Sequence, residues 1–483
     1  MDCLILGGGP AGAAAARLLA GRGHDVTLVT RPDVGGPAFG VSIPPSTDKL
    51  FRMLDIEAHV ARADAVRSTG HTVWWRPGDE RIETFAGQAR GWQVRLDRFS
   101  AALLDAAREA GARVVCERVE SLDAARRAFD ATYVIDATGR AGVAARARGW
   151  RTPESGPRTV ALAAVWRAAE GWPVPDDTHT LIEAYEDGWA WSIPFRTPDT
   201  AARTSDRTSR RYIAVMVDPE RSRLAAGRAR DVYLGELAKT TRFRALVGAA
   251  ALEEGPSGWD ATMYGAARFA ADDLLLAGDA GSFVDPLSSI GVKKALASGW
   301  LAAVAVRTAL LDPAMRQTAF AFFDTREREV YAAFRARTRE YLAEAAAGRA
   351  HAFWADRAAD DAASAAPAAD PGRAHAVQAA WDELRAEPRL RVRRGGNVRV
   401  EPRPAVRENL IVLEPRLVSS DDDPGVGYVH DVDVVALVDL APAFDDVGAL
   451  FEAYVRQRPP VGLQHFAAAL ATAVARQWLV CYK

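Results

Sequence analysis

The chain opens on Cys3-Leu4-Ile5-Leu6, passes through Gly7-Gly8-Gly9-Pro10-Ala11-Gly12, and continues as an apolar run to Leu19. A short apolar strand, the spacing G-x-G-x-x-G and then a helix leave few folds open. Gly7 permits the tight turn, Gly9 lets a pyrophosphate approach the backbone, and Gly12 lets helix and sheet pack closely. The free N–H groups around Ala11 and the positive end of the helix dipole face the anion. His24 to Val29 reads as a second strand, which completes a βαβ unit of about 30 residues. In that context a merely structural glycine turn is the weaker reading. No basic stretch precedes the apolar run, and Gly and Pro interrupt it, so it does not read as a signal peptide.

A chain of 483 residues has room for two or three domains. Its formal net charge of −2 carries no nucleic-acid footprint. No apolar run approaches the ~18 residues of a membrane helix. Cys3, Cys116 and Cys481 are far apart and odd in number, so neither a disulfide framework nor a metal-ligand spacing is expected. A cytoplasmic location follows as the expectation. Lysine is confined to Lys49, Lys239, Lys293, Lys294 and Lys483.

The second strand ends Leu28-Val29-Thr30-Arg31, where a ribose-binding carboxylate is missing; Thr30 or Arg31 could substitute, or Asp33 could reach back. Val66 to Trp75 reads as one strand, Trp92 to Leu96 as extended and Phe99 to Ala110 as a helix. Tyr133 to Asp136 is a buried strand that ends in the turn Asp136-Ala137-Thr138-Gly139-Arg140. Residues 159 to 217 are β-rich around Trp189-Ala190-Trp191-Ser192-Ile193-Pro194, and 199 to 211 read as a mobile loop. Leu274-Leu275-Leu276 leads through Gly278-Asp279 and Asp285-Pro286 into a helix starting near Gly291. Asp279 could accept a hydroxyl hydrogen bond, and the helix would aim N–H groups at an electron-rich ring edge. Residues 355 to 375 read as a linker. Beyond it, Asn397 to Val400 and Asn409 to Leu413 read as short strands separated by Pro402 and Pro404, followed by three helices and a closing strand.

Gly7 to Gly12, Asp136 to Gly139, Gly278-Asp279 with Asp285-Pro286, and Trp189 to Pro194 occur in the order found in FAD-dependent aromatic monooxygenases. The last stretch resembles the W-x-W-x-I-P signature of flavin-dependent tryptophan halogenases. The resemblance covers roughly residues 1 to 355. It implies an α/β fold: a Rossmann-like, p-hydroxybenzoate-hydroxylase-like FAD domain with an inserted antiparallel substrate sheet. The flavin ring is expected near Pro286 to Val292. Cofactor contacts are expected from Gly7, Gly9, Ala11, Gly12, Thr30, Arg31, Ser42, Arg98, Asp136, Gly139, Gly278, Asp279, Pro286, Gly291 and Val292. Gly40-Val41-Ser42 stands at the family's G-E-S turn, and the usual arginine falls on Leu96, with Arg95 or Arg98 as replacements.

Halogenases carry hypohalous acid on a lysine, and the corresponding stretch, Val66 to His71, has none; Arg67 stays protonated and cannot serve. Ser288 stands where the family's glutamate would be, and Ile290 where its threonine would be. The chain thus looks more like the halogenase-related flavoproteins that hydroxylate protein-bound tryptophan in quinone-cofactor maturation. That resemblance implies FAD reduced by NADH or NADPH, capture of O2 as the C4a-hydroperoxide, and oxygen transfer to an indole. It also implies a Trp-bearing peptide or protein as substrate, and other maturation enzymes as partners. His71, Glu183 and Asp187 are candidates for proton transfer, and Trp74, Trp75, Trp189 and Trp191 for the lining of the site; each also has an ordinary structural reading. The expected domains are 1–158 with 260–312 (FAD), 159–259 (substrate sheet), 313–355 (helical extension), 356–390 (linker) and 391–483, which resembles a small winged helix that binds precursor peptides. A halogenase using Lys49, Lys293 or Lys294, and a non-catalytic flavin-stabilised binding protein, are the alternatives.

Overall fold

The computed structural model describes residues 1–32, 40–153, 156–196, 209–225, 227–359, 371–386, 389–420 and 423–482. Asp33, most of the 199–211 loop and much of the stretch read as linker lie outside these. The chain divides into two compact units, Met1–Ala366 and Pro367–Lys483.

In the first unit the strands Arg113–Cys116, Val26–Thr30, Cys3–Leu6, Tyr133–Asp136 and Leu274–Leu276 lie side by side in that order, all parallel, with Ala270–Ala271 as an antiparallel edge. The apolar runs of Val26–Thr30, Cys3–Leu6, Tyr133–Asp136 and Leu274–Leu276 are buried on both faces, as a helix-covered parallel sheet requires, while Arg113–Cys116 at the edge is partly exposed. The helix Pro10–Ala20 crosses the long helix Gly291–Leu311 almost backbone to backbone: a Cβ on Gly299 would lie 2.0 Å from the Ala11 carbonyl oxygen. The long helix is 21 residues, and its most apolar 18-residue window has a mean hydropathy of 1.3, so one apolar element does reach membrane-spanning length, contrary to the sequence expectation. It packs against Pro10–Ala20 and Arg316–Ala346, with 72% of its most apolar window buried, the setting of a core helix.

A seven-stranded sheet stands apart from the parallel one, in the order Ala251–Asp260, Val160–Arg167, Arg210–Val217, Gly188–Phe195, Thr180–Tyr185, Gly70–Trp74, Arg81–Thr84. It is antiparallel except where Thr180–Tyr185 meets Gly70–Trp74. The stretch expected to be one strand over 66–75 is two. Val66–Ser68 joins a three-stranded sheet with Gly91–Arg95 and Gly40–Ile43, and Gly70–Trp74 joins the large one. The break is possible because residue 70 has no side chain: a Cβ there would lie 1.9 Å from the Glu83 carbonyl oxygen.

The second unit holds the helix Pro371–Ala386, the pair Val392–Arg394 with Leu479–Cys481, a hairpin Arg399–Arg407 with Leu410–Val418, and the helices Val434–Leu440, Val447–Gln457 and Leu463–Ala475. Asp433 and Asp446 cap the starts of two helices by accepting from Ala436 and Ala449 N–H. Leu437, Leu450, Tyr454, Phe466, Leu470 and Trp478 fill the core. The prolines do not separate two short strands as expected: one strand runs through Pro402 and Pro404. Pro402 faces Pro415 and Pro404 faces Leu413, two residues apart, so both prolines fall at the alternate positions whose nitrogens point away from the partner strand. The residues 371–386, read as part of a linker, are helical here and pack on Leu463–Ala475.

Candidate functional site

The three glycines of the motif behave as their spacing implies. Gly7 has φ +110°, and a Cβ on it would lie 2.2 Å from the Ala137 carbonyl oxygen; on Gly12 it would lie 1.9 Å from the Gly7 carbonyl oxygen. On Gly9 it would meet nothing within 4 Å, so that backbone faces open space. The donor-rich start of Pro10–Ala20 and this bare backbone fit a dinucleotide pyrophosphate. Thr30 is buried beneath Gly8, and Arg31 beyond it is exposed.

Next to the motif is a cavity of about 400 Å³ between the two sheets. Pro10, Arg31, Ser42, Asp279, Pro286, Gly291 and Val292 border it on the motif side, together with Leu96. Trp189, Trp191, Met216, Trp259, Phe283 and Leu287 form much of its apolar wall. Residues separated by an alternate position share a face of a strand. Trp189 and Trp191 therefore project together, and Ile182 opposite Trp191 joins them. Trp189 also packs edge-on against Trp75, with ring centroids 6.4 Å apart, so its wall position is backed by core.

The same alternation removes one candidate. Glu183 lies opposite Ala190 and projects to the other face. It is buried, and its carboxylate accepts from the backbone N–H groups of Thr241 (2.7 Å), Arg242 (3.0 Å) and Phe243 (2.9 Å). It caps the helix Arg242–Val247, so its charge is spent on orphan donors rather than on the cavity. Asp187 pairs with Lys239 at 2.5 Å away from the cavity. His71 packs edge-on against Phe85, with centroids 5.1 Å apart, and burial lowers its pKa despite nearby Glu83. It does not line the cavity. Trp75 is core, and Trp74 donates its indole N–H to Glu80.

Two expected cofactor contacts are also displaced. Asp136 is fully buried and accepts from Thr138 N–H (2.9 Å), the Thr138 hydroxyl (2.6 Å) and Ala144 N–H (2.6 Å). Burial raises its pKa against those bonds, and its work is to shape the turn ending at Gly139, φ +63°. Arg98 is exposed on the helix Leu96–Glu109 and Arg95 binds Asp97, so neither lines the cavity. Arg67 stacks on Trp92, 3.6 Å from the ring centroid. No lysine lines the cavity among the described residues: Lys49 is exposed, Lys293 donates to Ser46, and Lys294 is buried behind Asp279. Ile290 precedes the long helix as its N-cap, and the side chain of Ser288 lies outside the described residues.

Several wall groups escaped sequence reasoning. Arg140 lies over Phe283, 4.1 Å from its ring centroid, and reaches Asp260 at 3.3 Å. Burial pushes the Asp260 carboxyl up, but the hydroxyl and N–H of Thr262 and the nearby Arg140 and Arg158 charges outweigh it and hold it below the usual range. Gln93 donates to Thr180 (3.0 Å), which donates to Ser42 (3.2 Å), tying three sheet elements together beside the cavity. The Asp136 turn pointed to Arg140, but nothing local marked Trp259 or Asp260, because the strand Ala251–Asp260 lacks a clean alternation.

Residues 2–113 match the family described as tryptophan halogenase. The chain is 27% identical over 365 residues to the flavin-dependent halogenase armH3 of Armillaria mellea, covering 69% of this chain and 72% of the relative. It is 27% identical over 353 residues to a tryptophan 2-halogenase of Chondromyces crocatus, covering 66% and 63%. Among solved structures, the flavin-dependent halogenase CmlS superposes with a TM-score of 0.77 at 21% identity, covering 100% of this chain and 96% of that one. QhpG, a peptidyl tryptophan dihydroxylase essential for tryptophylquinone cofactor biogenesis, superposes with a TM-score of 0.65 at 24% identity, covering 99% and 98%. The fold is that of the flavin-dependent halogenases, an α/β FAD-binding architecture with mixed sheets, as the sequence led us to expect.

Proposed function

We propose that this chain, with its halogenase-like fold, is an FAD-dependent monooxygenase that hydroxylates a tryptophan side chain carried by a peptide or protein. The observation that carries the reading is the cavity wall: Trp189, Trp191, Trp259, Phe283 and Met216 beside the Pro286–Val292 segment, with no lysine among the described lining residues. An aromatic wall suits an indole through edge and offset contacts and keeps water away from it. Without an amine at the wall, no group of the expected kind is placed to carry hypohalous acid.

The residues present fit FAD. Gly7, Gly9 and Gly12 with the start of Pro10–Ala20 would hold the pyrophosphate, Thr30 and Arg31 would lie toward the adenosine end, and Asp279 would take a hydroxyl. When bound and reduced by NADH, NADPH or a partner reductase, the flavin supplies oxygen activation. The chain's own part is to orient the indole and to take the ring proton. Asp260, ionised at the wall and braced by Arg140, replaces His71, Glu183 and Asp187 as the acceptor. The likeness to QhpG supports a peptide-borne substrate.

The test is the product mass after turnover of a Trp-bearing peptide with O2 and reductant in excess chloride or bromide. A gain of oxygen alone is expected, and a halogen isotope pattern overturns the reading. That second outcome is the halogenase reading, which the higher TM-score to CmlS and the halogenase relatives favour. We assign the second unit, as a winged-helix-like module, to holding the peptide. Removing residues 367–483 should lower turnover of the peptide about a hundredfold and leave a free indole substrate unaffected, the arithmetic of a lost tether. Equal turnover of the peptide by the truncated chain removes that assignment.

A further inference from the structure

Behind the Gly278–Asp279 turn lie two ionisable side chains that the cavity does not use. Lys294, on the long helix, has a side chain only 1% exposed, and its ammonium is 3.4 Å from an Asp279 carboxylate oxygen. It also donates to the Ser282 carbonyl. Glu327, on the helix Arg316–Ala346, is buried as well. The Ser298 hydroxyl donates to Glu327 at 2.9 Å and accepts the Gly278 N–H at 2.8 Å. Burial pushes the Glu327 carboxyl up to about 7, against the pull of Lys294 and Ser298. Lysine and glutamate are almost never buried unless paired, and a pair of apolar residues in their place is often no less stable. Fold stability alone therefore does not account for two buried ionisable side chains at this place.

We propose that Lys294 and Glu327 are positioning residues for the cofactor site: two buried ionisable groups, one bound to Asp279 and the other to Ser298, that together set the direction of the Asp279 carboxylate and the shape of the Gly278–Asp279 turn. The proposal rests on the reading of this turn as part of an FAD site. The geometry makes each part distinct. Lys294 meets Asp279 directly, from one turn inside the helix that borders the cavity. Glu327 acts from a separate helix, through Ser298, on the Gly278 N–H. Gly278 adopts φ +63°, and a Cβ there would lie 2.9 Å from that of Ala11, so the turn and the start of the motif helix are in contact. A shift of this turn therefore reaches the pyrophosphate cradle as well as Asp279.

The experiment measures FAD affinity of the full-length apoprotein by flavin fluorescence quenching, alongside its thermal midpoint, in four variants. Asp279→Asn and Lys294→Met should each weaken FAD about ten- to a hundredfold, the usual range for a lost charge-assisted contact. The Asp279→Asn/Lys294→Met double variant should be no weaker than the worse single one, because both act through one carboxylate. Lys294→Met/Glu327→Leu should recover the thermal midpoint lost in Lys294→Met, since no buried charge is then left alone. Its FAD affinity should nonetheless stay low. A purely structural pair predicts the opposite: affinity returns with the midpoint, or the losses at Asp279 and Lys294 multiply. Either result overturns the proposal. If Asp279→Asn leaves FAD affinity unchanged, the placement of the cofactor at this turn falls first, and the proposal with it.

Discussion

The two faces of the seven-stranded sheet are built from the same strands and differ by one position in register. On one face Ala163, Ile182, Trp189, Trp191, Tyr212 and Met216 pack partly against Leu342, Phe353 and Trp354 and partly border the cavity. On the other, Leu162, Leu181, Tyr185, Ile213 and Val215 are closed over by Tyr233, Leu237, Phe243 and Leu246. Both are apolar. Composition therefore does not tell a binding face from a core face. The difference lies in what covers each: the second face is sealed by two helices, one of them capped by Glu183. The first is left open beside the glycine motif. A carboxylate placed one residue along, at 182 or 184, would have pointed toward that first face; at 183 it became a cap.

The largest expected effect strikes the glycine motif beside the open face. Gly12→Val should abolish FAD retention, because even the first carbon of a side chain would lie 1.9 Å from the Gly7 carbonyl oxygen. A variant that purifies with full flavin, judged by its visible absorbance, would break the assignment of the motif. On the sealed face, Glu183→Ala should cost about 2–4 kcal/mol in urea unfolding, since it leaves several buried N–H groups without an acceptor. It should leave Michaelis constants unchanged, and a loss of turnover without a loss of stability would return Glu183 to the site. On the open face, Trp191→Phe should do the reverse. Stability should fall by less than about 1.5 kcal/mol, while substrate affinity drops roughly tenfold; steady-state kinetics beside urea melts decides between the two. The smallest effect is expected at His71, on the strand next to the sheet's edge and away from the cavity. Its pKa is lowered in the fold, chiefly by burial, so the fold binds that proton less tightly than the unfolded chain does. Stability is then present above the ordinary histidine pKa and declines as pH falls through the lowered one. His71→Asn should flatten stability across that window without altering turnover, and a changed turnover would restore it as a catalytic group.

The dinucleotide turn was legible in the sequence because its requirements are local. Gly7 needs a positive φ, Gly9 needs bare backbone and Gly12 needs no Cβ, and each follows from a few neighbouring residues. The shared face of Trp189 and Trp191 was equally implicit in their spacing. Glu183 was misassigned for a different reason. Its partners, the N–H groups of Thr241, Arg242 and Phe243, are some 60 residues away, and only the packing of the helix Arg242–Val247 on the sheet brings them near. Asp136 was placed at the right turn, but its bonds to Thr138 and Ala144 show it shaping that turn instead of facing the cavity.

The strand–turn–helix at the start, the buried parallel strands and the alternation that puts the two tryptophans on one face are local properties of the chain, because each rests on residues a few positions apart. Tertiary structure alone decided which apolar face stays open and which charges are consumed by backbone donors. It also decided that Arg140 and Asp260 meet at the cavity wall, and that Lys294 reaches Asp279 and Glu327 reaches Ser298 behind it. Arg140 and Asp260 are more than a hundred positions apart, and Ser298 and Glu327 stand on two different helices. Burial and charge pairing depend on the whole packed environment, and no local pattern of residues encodes that.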